Sequence, residues 1–345
     1  MLEHDRSNFV QLLRSFPEHI TTSRKIMAEN PVKISTRGLR NIVIAGMGGS
    51  AISGELLLGY AGEELPVPAV VNRGYNAPGF VDKNTLFVAM SYSGNTEETL
   101  SATREALQRG AQVVAITSGG ELAGLSREKG LPLVEIPGGL PPRQALGYMF
   151  YPLLMLFNQN KLVNVSEADL DEARQVAEDQ LHRYDPDHTQ GHCLPNHIAQ
   201  SVYHAIPVIY SGASFLAGMP TRWRNQFSEN SKCMAFGNVF PELNHNEIMG
   251  WEGFYEVNKH FRAIFLRDEE ETPRNKKRIE VTKGILRQNK ILFGEIYSEG
   301  RSRLARLTSM VVIGDWASFY GAMLHSKDPI EIGSIDKLKA ELSKV

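Results

Sequence analysis

Between residues 41 and 136 the chain alternates in steady rhythm between short β-branched runs and stretches of helical spacing. Residues 41–45, 67–72, 85–90, 112–117 and 133–136 read as strands, and 50–60, 96–109 and 121–129 as helices. Strands separated by helix-length segments cannot pair as hairpins; they form a parallel sheet covered on both faces, an α/β architecture. Before this block, Phe9, Leu12, Leu13 and Phe16 recur at helical spacing, so helices precede the first strand. After it come a turn, PGGLPPRQ, a wholly apolar helix in GYMFYPLLMLFN, and an amphipathic helix over 166–181 opened by Ser166 as cap. The polar, turn-rich RYDPDHTQGHCLPN reads as a linker. A second rhythm then begins, with strands at 207–211, 262–266 and 291–296 and helices at 273–288, 304–324 and about 335–342. The expected organisation is N-terminal helices in 1–40, a first half in 41–160, a helical connection in 161–200 and a second half in 201–345. Two halves of one plan suggest a divergent duplication.

Composition narrows the partners. A net charge of −2 leaves no basic footprint for nucleic acid or an anionic membrane surface, so small molecules and a second subunit are the expected partners. Two cysteines, Cys193 and Cys233, are too few for a disulfide framework, the N-terminus has no secretory pattern, and no uninterrupted apolar segment long enough to span a bilayer is read. The expected location is the cytoplasm.

Two strand-to-helix turns carry the chemistry. Gly46-Met47-Gly48-Gly49-Ser50-Ala51 fits G-x-G-x-x-G/A, the dinucleotide fingerprint, and fits a lone phosphate monoester equally well. A dinucleotide site needs an acidic residue at the end of the next strand, where this chain has Val71-Asn72-Arg73; NADP would have to rely on Arg73. The second turn, SYSGNTEETL, places the hydroxyls of Ser91, Ser93 and Thr96 around Gly94 ahead of a helix, a set of neutral donors suited to a phosphate dianion. In the second half, the strand at 262–266 leads instead into Arg267-Asp268-Glu269-Glu270-Glu271, whose acids repel phosphate, so only one phosphate site per subunit is expected.

SYSGNTEETL resembles the phosphosugar-binding motif of sugar isomerase (SIS) domains, and GMGGSAISGELL the strand-to-helix turn of the same domain. Pro142-Arg143-Gln144-Ala145-Leu146-Gly147, Glu229-Asn230-Ser231-Lys232 and Glu242-Leu243-Asn244-His245-Asn246-Glu247 are similar to segments of one branch, the bifunctional phosphoglucose/phosphomannose isomerases, in the same order across nearly the whole chain. The resemblance implies two SIS-type doubly wound domains with parallel sheets covered by helices. It implies an aldose–ketose isomerase, with no cofactor and no metal, that interconverts glucose-6-phosphate, and mannose-6-phosphate as a further substrate, with fructose-6-phosphate through an enediol.

Residue by residue, it makes Glu229 the base that moves a proton between C1 and C2, and Arg143 the cation that stabilises the enediolate. His245 acts on a sugar oxygen during ring opening and is donated across a homodimer interface. Lys339, with Lys337 as a near competitor, assists ring opening from the last helix. Gly48, Gly49, Ser50, Ser91, Ser93 and Thr96 bind substrate. Some members have Thr seven positions before the lysine, associated with accepting the mannose epimer; Ile332 stands there in this chain, which separates the mannose expectation from the glucose one.

Competing readings leave residues unexplained. A metal site drawn from His188, His192, Cys193 and His197 has loose spacing. A non-catalytic sugar-phosphate sensor would not need Glu229 and His245 together, and an NADP-dependent oxidoreductase leaves SYSGNTEETL without a purpose.

Overall fold

The computed structural model describes residues 2–342 and Lys344. Five strands, β1 (Asn41–Ala45), β2 (Ala69–Asn72), β3 (Thr85–Met90), β4 (Gln112–Thr117) and β5 (Leu133–Glu135), form a parallel sheet in the order β2-β1-β3-β4-β5. A second parallel sheet contains β6 (Ile206–Ser211), β7 (Phe236–Val239), β8 (Phe261–Arg267) and β9 (Phe293–Tyr297) in the order β7-β6-β8-β9. The second order repeats the first without its last strand, so the halves share a winding plan.

Helices cover both sheets. The described chain contains α1 (Val10–Arg14), α2 (Phe16–Glu29), α3 (Gly48–Ala61), α4 (Glu97–Gln108), α5 (Gly120–Lys129), α6 (Leu146–Gln159) and α7 (Glu167–Tyr184). It continues with α8 (Pro186–Thr189), α9 (Leu194–Val202), α10 (Met219–Glu229), α11 (Tyr255–Asn258), α12 (Pro273–Gln288), α13 (Arg303–Leu324) and α14 (Gly333–Leu342).

Alternation along the strands decides which helix lies where. In β1 and β3, Ile42, Ile44, Leu86, Val88 and Met90 face the core shared with α3 and α6, while Val43, Ala45, Phe87 and Ala89 face α4 and α5. All six residues of β3 are buried, as a central strand covered on both faces requires. The apolar core behind α6 runs on without interruption into the second half through Phe215, Trp223, Ile313 and Trp316. A separate cluster, including Tyr210, Phe265, Ile279 and Leu286, lies under α12.

Several sequence expectations shift. The strand expected at 67–72 begins at Ala69, and that at 133–136 ends at Glu135. β7 has no counterpart in the sequence reading, because Phe-Gly-Asn-Val is short, interrupted by Gly, and lies at a half-exposed sheet edge. Ser166 caps α7 in a reciprocal box, accepting from the Asp169 amide at 3.1 Å while the Asp169 carboxylate accepts from the Ser166 amide at 2.9 Å. The end of α7 and the polar segment after it are tied into the fold: Arg14 donates to both Asp185 oxygens at 2.6 and 2.7 Å, and the Tyr320 hydroxyl donates to the carbonyl of Tyr184, the last residue of α7, at 2.6 Å.

By length and composition α13 is apolar enough to cross a membrane, but 94% of that stretch is buried within the fold, where it packs on α7, α9 and α10. Both cysteines are unpaired, and among the described residues no group of three or more His, Cys, Asp or Glu side chains could hold a metal ion.

His19 on α2 makes a pH prediction. It stacks on Tyr148 with ring centroids 4.0 Å apart, and burial lowers its pKa from 6.5 to about 4. The folded state therefore binds fewer protons than the unfolded chain between these values, and stability rises with pH across that window. Its contribution is complete above pH 6.5 and is lost as pH falls toward 4, about 3 kcal/mol in all. Urea unfolding of wild type and His19→Gln at pH 7 and pH 4.5 checks this: the variant should lose less stability between the two pH values. Equal losses in both proteins would contradict it.

Candidate active site

In a doubly wound sheet, ligands bind beyond the carboxyl ends of the strands where the winding reverses. In the first sheet that point lies between β1 and β3, and the register pairs Ala45 with Ala89. The two loops that leave there are Gly46–Ser50 and Ser91–Thr96, the same two turns that the sequence singles out.

In the first loop Met47 is the residue before α3 and its side chain makes no capping bond, so the first amides of α3 stay open. A Cβ on Gly49 would lie 3.0 Å from the Pro142 carbonyl oxygen and 3.8 Å from the Arg143 Cα, so this turn rests directly on the turn that carries Arg143. Ser50 is buried at the same turn and makes no side-chain hydrogen bond among the described residues.

In the second loop the hydroxyls of Ser91 and Thr96 lie 2.8 Å apart, and Ser91 Oγ accepts from the Gly94 amide at 3.0 Å. Thr96 precedes α4 yet does not cap it, since its hydroxyl turns toward Ser91. Ser93 is exposed, and its hydroxyl accepts from the Asn95 amide at 3.3 Å. Gly94 has φ +72°, and a Cβ there would stand 1.8 Å from the Gly119 carbonyl oxygen. No other residue fits while the loop keeps its shape.

Tyr92 carries this order onward. Its hydroxyl donates to the Pro137 carbonyl at 3.1 Å and accepts from the Leu140 amide at 2.9 Å, fixing the loop that leads to Arg143. Arg143 is buried in a single 3-10 turn, Pro142–Gln144. Its Nε donates to Asn230 Oδ1 at 2.7 Å, its Nη2 to the Pro329 carbonyl at 2.7 Å, and its Nη1 stands 3.7 Å from Glu229 Oε2. Burial pushes the guanidinium below its usual range, Glu229 opposes that shift, and Arg222 adds to it.

Glu229 closes α10, and its side chain remains 32% exposed beside an Arg143 side chain that is only 4% exposed. A partly exposed carboxylate therefore stands beside a buried cation held on two edges. Lys232 Nζ donates to the Glu229 carbonyl at 2.6 Å and the Pro329 carbonyl at 3.1 Å, joining the end of α10 to the approach to α14.

The other two expected residues lie apart from this pair. His245 ends the 3-10 turn Glu242–His245 beyond β7 and is exposed, with no side-chain hydrogen bond or ion pair among the described residues. Its flanks are fixed: Leu243 is buried, Asn244 donates to Thr282 at 3.1 Å, and Glu247 accepts from Tyr210 and Asn238. Lys339 and Lys337 are exposed on α14, a helix with no buried residue, along which Ile335, Leu338 and Leu342 form an uncovered apolar stripe. Ile332 is half-buried just before it.

The matching reversal in the second sheet is filled by the protein's own ions. Arg267 donates to Glu271 at 2.8 and 2.9 Å and to Glu295 at 2.6 Å, and Arg306 donates to Asp268 at 3.0 Å. Asn275 donates to the Gly212 carbonyl at 2.8 Å.

Sequence reading missed the supports beneath Arg143. Arg222 Nη1 donates to the Arg143 carbonyl at 2.9 Å, while its Nη2 lies 2.8 Å from each oxygen of Asp315. Gln226 also donates to Asp315 at 2.8 Å, and Asn230 Nδ2 donates to Ser318 Oγ at 2.9 Å. One signal was available: Asp315 is the single acid in the 22 residues of α13, and a lone charge in an apolar helix needs a buried partner.

Two doubly wound halves, with open helix N-termini and hydroxyls at one reversal point, define a protein of the SIS class. Residues 37–128 match the SIS domain family and residues 194–342 match the bacterial phospho-glucose isomerase C-terminal SIS domain family. The bifunctional phosphoglucose/phosphomannose isomerase of Caldicellulosiruptor bescii is 39% identical over 331 residues, covering 96% of this chain and 98% of that protein. The enzyme of the same name from Thermoplasma acidophilum is 39% identical over 310 residues, covering 88% and 90% respectively. The chain belongs to the bifunctional phosphoglucose/phosphomannose isomerase family. In fold it also matches the crystal structure of a hypothetical protein from Thermus thermophilus, with TM-score 0.76 at 17% identity over 98% of this chain and 91% of the other.

Proposed function

We propose that the chain interconverts glucose-6-phosphate and mannose-6-phosphate with fructose-6-phosphate by proton transfer through an enediolate. The observation that carries this is the Arg143–Glu229 pair, 3.7 Å apart, set against the turn that opens α3. The phosphate is held between the two loops by Gly48, Gly49, Ser50, Ser91, Ser93 and Thr96, where open amides and neutral hydroxyls accept a dianion. Glu229 takes the C2 proton of the open-chain aldose and returns it to C1, the developing negative charge on oxygen being met by Arg143 Nη1. Lys339 assists ring opening once α14 closes toward the site. The acid–base steps need only these side chains. Phosphorylated sugars and two unpaired cysteines suit a reducing cytoplasm.

His245 serves a second copy of the chain in a homodimer. The support is its placement: neighbours on both sides are clamped, while His245 itself is exposed on a stretch of chain that also exposes Phe236, Met249, Phe254 and Tyr255. Mixing two inactive variants, Glu229→Gln and His245→Ala, tests this. Random reassembly makes half the dimers mixed, each with one intact site, so about a quarter of wild-type activity should return. No recovery after verified subunit exchange would place His245 outside the partner's site.

The reading as a whole is tested by assaying purified protein with both aldose phosphates, with and without a chelator. Turnover of both, unchanged by the chelator, is expected. Tight binding without turnover would instead indicate a sensor, and activity lost to the chelator would require a metal in the mechanism.

A further inference from the structure

Arg222 and Asp315 form a buried ion pair that the proposed chemistry does not use. Their side chains are 2% and 6% exposed, in a core otherwise built from Trp223, Ile313 and Trp316. Stability alone is a poor reason for such a pair, because desolvation offsets most of the Coulomb gain and apolar residues of similar volume often do as well. The surrounding polar groups are also incompletely matched: Arg222 Nε, Gln226 Oε1 and Gln144 Nε2 have no partner among the described residues.

What the pair does hold is the backbone of Arg143. Asp315 accepts from Arg222 Nη2 through both oxygens at 2.8 Å, which leaves Nη1 aimed at the Arg143 carbonyl at 2.9 Å. One turn further along α13, Ser318 accepts from Asn230, and Asn230 accepts from Arg143 Nε at 2.7 Å. Backbone and guanidinium of Arg143 are therefore both referred to a single turn of α13.

We infer that Arg222 and Asp315 are positioning residues for Arg143, setting the angle at which its free Nη1 edge meets the charge that develops on an enediolate oxygen. This rests on the isomerase reading above. A small misplacement of such a group costs transition-state binding while leaving ground-state binding nearly intact, so the effect is selective.

Two ligands separate a positioning role from a structural one. A five-carbon aldonate phosphate carries a carboxylate where the enediolate charge develops; a six-carbon alditol phosphate carries the same phosphate and no such charge. Affinities for both are measured by calorimetry on wild type, on the double variant Arg222→Met with Asp315→Leu, and on Arg222→Lys. The double variant removes both charges together and so avoids an orphaned buried ion; Arg222→Lys keeps the ion pair but cannot span both Asp315 and the Arg143 carbonyl. Each folded variant should lose about 100-fold in affinity for the aldonate phosphate and a similar factor in kcat, with alditol phosphate affinity within about threefold of wild type.

Equal losses for both ligands, or no loss for either, would overturn the inference. If wild type fails to interconvert sugar phosphates but the selective loss occurs, the isomerase reading falls and the positioning role stands. If wild type is an isomerase and both variants match it, the positioning role falls alone. Wild type that neither interconverts sugar phosphates nor binds either ligand removes both.

Discussion

Replacing Glu229 by Gln should lower kcat by about a thousandfold while leaving KM for the sugar phosphates within about threefold, since in the proposed mechanism the substitution removes the general base and keeps its shape. The fold should survive it. The Glu229 side chain is 32% exposed and lies 3.7 Å from Arg143, so the pair contributes little to stability. The Glu229 carbonyl, which accepts from Lys232 at 2.6 Å, is unchanged in the variant. Arg143 keeps its bonds to Asn230 and Pro329 at 2.7 Å each, so the cation stays in place when the base is gone. Initial rates with fructose-6-phosphate, beside a thermal melt, check this. A Gln variant within tenfold of wild type would mean that another group moves the proton.

The second large effect is expected at Gly94. With φ +72° and a Cβ position 1.8 Å from the Gly119 carbonyl, Gly94→Ala forces the loop that carries Ser91, Ser93 and Thr96 away from residues 119 and 120. Two further bonds join these loops, from the Leu122 amide to the Gly94 carbonyl and from the Glu121 amide to Asn95 Oδ1, each 2.9 Å. The displacement therefore reaches both the hydroxyls and the start of α4. A loss of about 100-fold in kcat/KM is expected, carried mainly by KM because the proposed phosphate contacts are the same in ground and transition state. Gly110→Ala is the control. Gly110 also has positive φ, +78°, but its nearest neighbour to an added Cβ is Lys83 at 3.8 Å. It should cost about 1–2 kcal/mol of stability from the left-handed backbone and leave KM unchanged. Equal KM in the Gly94 variant and wild type would remove this loop from the phosphate site.

Much of this arrangement is legible in the sequence because it depends on local pattern. The strands β1, β3 and β4 are continuous apolar runs, and their burial on both faces follows from that. The two loops at the reversal point announce themselves through small residues and hydroxyls directly after those strands. What could not be read depends on distant partners. Nothing in Phe-Gly-Asn-Val distinguishes β7 from a loop until β6 lies beside it. The contact between Gly49 and Pro142 joins residues far apart in sequence, and the route from Asp315 through Arg222 to Arg143 crosses three elements. The stripe Ile335, Leu338 and Leu342 is plain as an amphipathic pattern, but the pattern does not say what covers it. The acidic run after β8 reads in sequence as repelling phosphate; the structure adds that Asp268 and Glu271 are already matched by Arg306 and Arg267.

Proton exchange during turnover addresses the central chemistry most directly. Fructose-6-phosphate incubated with the protein in deuterium oxide is followed by NMR at C1 of the ketose and C2 of the aldose. Deuterium should enter both positions over repeated turnovers in wild type and neither in Glu229→Gln, because the enediolate gives the transferred proton a chance to exchange with solvent. Interconversion with the original hydrogen fully retained at both carbons would contradict an enediolate and point to direct hydride transfer.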